Sequence, residues 1–217
     1  MSDPYIVHGA RGSGSVAVEA ALTLLGLAYS VVENAPWAGQ AQADAVGRIN
    51  PMRQVPAVIL PTGELMTESA AILIHLADTH PEAGLSPALD APERAQFLRW
   101  MVYVPAAIYS MFWVRDEPGR LAADKAAETV ILARTKQRIA DCWKIMDDQV
   151  EPGRFLLGDR LSVLDLYVAM ASRWTPRRRR FYDVAPKMAE VVRRVDAEPR
   201  LAAFWADRMP FEAGWEG

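Results

Sequence analysis

The sequence predicts two joined domains, a small mixed α/β domain followed by an all-helical one. Three observations predict this. Strand and helix signals alternate over the first third of the chain. A stretch rich in Pro, Gly and Ala, "PEAGLSPALDAPE", then interrupts the pattern. Past Pro92 the periodic segments all have helical spacing. The expected boundaries are 1–79 for the α/β domain, 80–91 for the linker and 92–217 for the helical domain.

"YIVHG" is a short β-rich run. "SVAVEAALTLLGL" carries apolar residues at helical spacing, with Gly26 placed to stop the helix. "AYSVVEN" reads as a second strand. "QAQADAVGRIN" is a weak helix closed by Asn50-Pro51. "PAVIL" and "GELMT" flank Pro61-Thr62-Gly63, a turn signal, and predict a hairpin. "ESAAILIHLADTH" is a clear helix that ends before Pro81. The expected order is β-α-β-α-β-β-α.

In the second domain, "ERAQFLRWMVYVPAAIYSMFWVR" is a long aromatic helix, broken or kinked near Pro105. "ADKAAETVILARTKQRIADCWKIMDDQV" has apolar and charged faces. "LSVLDLYVAMASRW" is apolar on most sides and predicts a buried central helix. Ser162 and Asp165 open it in a capping-box pattern, read as a helix cap only. Two shorter helices, around "MAEVVRRVDAE" and "RLAAFWADR", finish the chain.

Composition narrows the function. A net charge of −3 removes the electrostatic case for nucleic acid or an acidic membrane as main partner. The basic run Arg177 to Arg180 therefore reads as a solvated or carboxylate-pairing loop. The single cysteine, Cys142, excludes an internal disulfide and favours a cytoplasmic setting; mid-helix, it reads as a small buried residue. No signal peptide is visible, and no apolar stretch is expected to approach the ~18 residues of a membrane span. His8, His75 and His80 lack metal-ligand spacing and read as structural, so no metal site is expected.

Two motifs carry chemistry. Val55-Pro56 opens a strand, an odd place for a residue without an N–H. Glu68-Ser69 opens a helix, where unpaired N–H groups and a positive dipole welcome a carboxylate. With the intervening Gly turn, "NPMRQVPAVIL" and "TESAAILIHLAD" resemble the glutathione-site pattern of the cytosolic glutathione transferases. "GDRLSVLDLYVA" resembles the buried capping-box helix of that family's second domain, and "WTPRRRRF" and "EPRLAAFWAD" resemble bacterial members. The resemblance covers essentially the whole chain.

That resemblance implies a thioredoxin-like N-terminal domain, an all-α C-terminal domain, a homodimer and glutathione as co-substrate. It implies a cis bond at Pro56, with the Val55 backbone facing the ligand. Ser69 would donate to the γ-glutamyl carboxylate and Glu68 would accept from the neighbouring ammonium. Gln54 is a further candidate for that end. Arg53, Arg48 and Arg11 are candidates for the glycine carboxylate, and Trp37 could flank it.

The thiol should lie at the first strand–helix junction, "HGARGSGSVAVEA". A hydroxyl donor there, together with the helix dipole, would favour the nucleophilic thiolate. Ser13 and Ser15 compete for the role. Ser13 is favoured because Ser15 directly precedes "VAVEAA" and could be the N-cap. Backbone N–H groups of the Gly-rich loop are the third option. Tyr5, on the strand, does not match the tyrosine classes. Tyr103, Tyr109, Met111 and Trp113 offer an aromatic wall for a small hydrophobic electrophile between the domains. The expected function is conjugation of glutathione in detoxification. The alternatives are a non-catalytic binding or interaction module of the same fold, or a glutathione-dependent peroxidase or disulfide reductase.

Overall fold

A computed structural model describes residues 3–174 and 178–210, which form two compact units. The first holds the chain up to Ala88 together with the returning segment 196–210; the second holds Leu89–Val195. The segment around "RLAAFWADR", last in the expected helical stretch, returns to pack with the α/β unit.

In the first unit the strands are β1 (Tyr5–Gly9), β2 (Tyr29–Glu33), β3 (Ala57–Ile59) and β4 (Leu65–Met66), in spatial order β2-β1-β3-β4. β1 and β2 are parallel; β3 is antiparallel to both β1 and β4. Helices α1 (Ser15–Leu25), α2 (Gln40–Gly47) and α3 (Ser69–Thr79) alternate with the strands. α1 ends on Gly26 at φ 65, where its N–H reaches back to the Leu22 and Thr23 carbonyls. Only glycine adopts that left-handed cap without a Cβ penalty.

The second unit begins with a helical run of 23 residues, Arg94–Asp116. α4 (Arg94–Tyr103) and α5 (Ser110–Asp116) are joined by a π-helical segment, Val104–Tyr109. The wide π turn accommodates Pro105: the regular α-helix is interrupted there, as expected, but the chain stays helical across it. By length and composition this run could cross a membrane, which corrects the expectation that no stretch approached that length. Its buried face of Phe97, Trp100, Met101, Val104, Ile108 and Phe112 is that of a core helix.

α6 (Lys125–Gln149) starts at Asp124, whose carboxylate accepts from Ala127 N at 2.8 Å. α7 (Val163–Ser172) is buried on every side, as its composition required. Asp165 is fully buried and accepts from Ser162 N (2.8 Å), Ser162 Oγ (2.7 Å) and Leu156 N (2.8 Å). The box therefore does more than cap, since it also ties down the preceding loop at Leu156. α8 (Arg179–Val184) and α9 (Pro186–Asp196) follow, and α10 (Ala202–Arg208) closes the described chain.

The basic run is not a uniformly solvated loop. Arg177 lies outside the described residues. Arg178 is fully buried and donates to the Ala169 carbonyl (2.6 Å) and Ser172 Oγ (3.1 Å) at the end of α7. A cation suits the negative end of a helix. Cys142 is fully buried.

Candidate active site

Strand register brings three motifs to one end of the sheet. His8 pairs with Ala57, so Pro56 lies beside the end of β1, where the Ala10–Ser15 loop departs. Met66 pairs with Val58 on an antiparallel strand, so Thr67 and Glu68 continue toward that same end. Glu33 pairs with Gly9 there too. In open α/β sheets, ligands bind beyond such strand ends.

The Val55–Pro56 bond is cis. Val55 is 8% exposed, and its backbone N–H and C=O have no hydrogen-bond partner among the described residues. Glu68 is the exposed residue before α3, at φ 64 and ψ 98, and its carbonyl accepts from Ile72 N. A non-glycine residue with positive φ is a strained backbone position of the kind that gathers at ligand sites. Ser69 is the first residue of α3 and is buried. Gln54 is exposed.

Two of the three candidate cations are engaged. Arg53, at φ 55, pairs with Asp44 at 3.1 Å, and Arg11 pairs with Asp207. Arg48 is exposed and has no partner among the described residues. Trp37 is 65% exposed in a 3-10 turn, Pro36–Ala38.

The serine loop is the most connected part of the site. Gly14, not Ser15, is the N-cap of α1; Ser15 is the first helical residue. Ser13 Oγ accepts from Ala10 N (3.3 Å) and Ser15 N (3.1 Å), and lies 2.9 Å from Ser15 Oγ. Ser15 Oγ donates to Glu19 Oε1 at 2.6 Å, one helical turn on. It has a second acceptor, the Ala10 carbonyl, at 3.3 Å, and accepts from Ala10 N at 3.2 Å. A carboxylate at the shorter distance holds that proton. Ser15 is therefore committed inward, while Ser13, 5% exposed, has both lone pairs engaged and a proton to give.

Gly9 is required for this packing. A Cβ there would stand 2.4 Å from Ser15 Oγ.

Glu19 is fully buried and is met by Arg208 of α10, through Nε to Oε2 at 2.5 Å and Nη2 to Oε1 at 3.3 Å. Arg208 also pairs with Glu33, and its carbonyl accepts from Gly12 N at 2.9 Å. Burial pushes the Arg208 pKa down, but the bonds to Glu19 and Glu33 outweigh it and leave the guanidinium above its ordinary value. Sequence reasoning gave neither Glu19 nor Arg208 a role in the site. Glu19 had a signal, an acid four residues after Ser15 on an otherwise apolar helix. Arg208, 189 residues away, had none.

The aromatic candidates of the second unit differ among themselves. Tyr103 donates to the Cys142 carbonyl at 3.0 Å and packs edge-on against Trp100. Burial first, then the neighbouring Cys142, pushes its pKa up to about 12. Tyr109 lies against Tyr167 and Trp174. Trp113 is 45% exposed, with the Arg120 guanidinium 4.6 Å from its ring centre. Tyr5 is buried on β1.

An α/β unit with a cis-proline strand and a helical second unit define the class: a two-domain protein of thioredoxin-like type. Comparison with known proteins makes the class specific. The model of the glutathione S-transferase N-terminal domain matches residues 15–79, and that of the C-terminal domain matches 114–208. The chain belongs to the glutathione transferase family.

It is 29% identical over 196 residues to the uncharacterized GST-like protein YncG of Escherichia coli K12, covering 90% of this chain and 94% of that one. A glutathione transferase homolog from Sulfitobacter, solved with bound glutathione, superposes with a TM-score of 0.83 at 24% identity, covering 94% of this chain and 97% of that one. A glutathione transferase from Methylococcus capsulatus Bath gives 0.73 at 26% identity, with 92% and 96% covered.

Proposed function

We propose that the protein is a cytoplasmic glutathione transferase that activates the glutathione thiol at Ser13 for attack on a small hydrophobic electrophile. One observation carries this reading. Ser13 Oγ receives two backbone N–H groups at the start of α1 and retains a proton that Ser15 does not need. Donated N–H bonds polarise the hydroxyl and make it a better donor. A thiolate is a stronger acceptor than Ser15 Oγ and takes the bond when bound. The positive end of the α1 dipole favours the same anion.

The rest of the tripeptide follows the strand ends. The unpartnered Val55 backbone suits an extended cysteinyl unit, added as a short strand. Ser69 and the N-terminus of α3 take the γ-glutamyl carboxylate; Glu68 and Gln54 take its ammonium end. Arg48 is the best-placed of the three cations by availability, because Arg53 and Arg11 already hold carboxylates. We assign the electrophile contacts to Tyr109 and Trp113. Tyr103, whose hydroxyl is committed to the Cys142 carbonyl, shapes the wall instead. The exposed Leu98 and Val102 on α4 support a homodimer.

Retention on immobilised glutathione, followed by turnover of a generic aryl halide, tests the reading. Binding with turnover supports it. Failure to bind overturns it in favour of an interaction module. Light scattering should give twice the 24.0 kDa chain mass.

A further inference from the structure

The serine pair is not self-contained. It is the outer end of a buried chain that runs Ser13, Ser15, Glu19, Arg208 and ends on Glu33 at the sheet edge. Every link lies within the first unit, and no link depends on a bound ligand. The inner carboxylate is fully buried, two hydrogen bonds behind the Ser13 hydroxyl. A lone buried negative charge at that place would oppose any anion that Ser13 holds. Arg208 meets it with a two-point bond, the geometry that a planar guanidinium fits and an ammonium does not.

We infer that Arg208, delivered by the C-terminal helix α10, is a positioning residue of thiol activation. It neutralises Glu19 behind the serines and so lets Ser13 stabilise an anion. This inference rests on the Ser13 reading above. α10 is fastened to the serine loop at two further points, Arg11 to Asp207 and Gly12 N to the Arg208 carbonyl. The other charged or titratable groups around the pair are Glu33 and Tyr29 on β2 and Asp207 on α10. Asp207 holds Arg11, and Tyr29 lies 2.9 Å from Thr23 Oγ1. None of them offsets the Glu19 charge in place of Arg208.

The charge assignment makes a prediction that a purely structural ion pair does not. Removing the two partners should move the thiol in opposite directions. Loss of structure would move it the same way in both. The measurement is the ultraviolet thiolate absorbance of bound glutathione, titrated against pH in the full chain, with circular dichroism as the check on folding. Arg208→Gln should raise the apparent pKa of the bound thiol by about one unit, a tenfold loss of thiolate affinity. Glu19→Gln, which keeps the shape and removes the charge, should lower it. The double variant should return close to wild type.

A zero or upward shift in Glu19→Gln overturns the inference, even if Arg208→Gln does not fold. Equal upward shifts in both variants reduce the pair to scaffolding and overturn it as well. Ser13→Ala separates this failure from failure of the underlying reading. If Ser13→Ala leaves the titration unchanged, the Ser13 role falls, and the route from Arg208 through the serines falls with it. If Ser13→Ala shifts the titration and the charge variants do not, Ser13 stands and Arg208 is excluded.

Discussion

Each unit buries one acid beside a serine at the start of a helix, and the two solve that problem differently. In α1, Ser15 donates a hydrogen bond to Glu19, and Arg208 supplies a countercharge. In α7, Asp165 receives three donors, two from Ser162 and one from Leu156 N, and no cation. Both carboxylates are fully buried. Hydrogen bonds alone leave Asp165 with a cost of burial, and its pKa is pushed up to about 6 by desolvation against those bonds. The difference separates a sealed structural knot from a chain that ends on the Ser13 hydroxyl, which has a proton to give. A serine and an acid in a helix's first turns are not a functional signal. The countercharge and the hydroxyl with a proton to give are what distinguish one.

The largest expected effect lies in the sealed knot. Asp165→Ala leaves two buried N–H groups and a hydroxyl without their acceptor, at about 1–3 kcal/mol for each group that finds no other. Urea unfolding should show a loss of at least about 3 kcal/mol. A loss under about 1 kcal/mol would show that the loop at Leu156 repacks and that the knot is not structural.

The same residue predicts a pH dependence of known sign. The folded pKa of Asp165, about 6, lies above the ordinary value of 3.8, so between them the native state holds a proton that the unfolded chain has released. Stability from the protonated form is complete below the lower value and is lost as pH rises through the upper one. The gap of about 2 pH units sets a ceiling of about 3 kcal/mol. The difference in unfolding free energy between wild type and Asp165→Asn should therefore fall as pH rises from 4 toward 7. A difference that rises over this range would mean that the three donors outweigh burial and that the contrast with Glu19 is smaller than drawn.

Most of the fold was legible in the sequence, and the reasons differ by element. Period and turn residues placed the four strands and α1, α3, α6 and α7, because local pattern decides them. At Pro105 the expected interruption takes the form of a π segment, Val104–Tyr109, of which the sequence carries no sign. Arg178 misled: four consecutive arginines look solvated, yet one closes the end of a buried helix. In the site, the strand-opening Val55-Pro56 and the helix-opening Glu68-Ser69 were readable as local backbone features. The Glu19–Arg208 pair was not, since only the folded chain brings those residues together. That segment 196–210 packs with the α/β unit was illegible for the same reason.

At the Ser13 end of the first network, Ser13→Ala should slow turnover more than it weakens glutathione binding. One hydrogen bond to a charged group is worth about 1.5–3 kcal/mol, so kcat should fall by about 10- to 100-fold. Stability should fall by about 1–3 kcal/mol, because Ser15 N loses its acceptor while Ala10 N keeps Ser15 Oγ, a smaller loss than that of Asp165→Ala. Equal losses in both networks' stability would erase the distinction between them.

The smallest effect concerns a third acid at a helix start, Glu68, which is exposed and has neither a countercharge nor a sealed set of donors among the described residues. Its carboxylate is solvated in the unliganded chain, so neutralising it removes no internal bond, and Glu68→Gln should leave unfolding unchanged. Its proposed partner is the ammonium of the γ-glutamyl end. A charge-assisted bond at an exposed position is worth about 1 kcal/mol after solvent screening, so calorimetry should show glutathione binding weakened about fivefold. Part of that loss should fade at high salt, because an exposed pair is screened and a buried one is not. Unchanged affinity would leave Glu68 as a helix-start residue held at positive φ with no ligand role. The three acids would then divide by burial alone, and the exposed one would do the least.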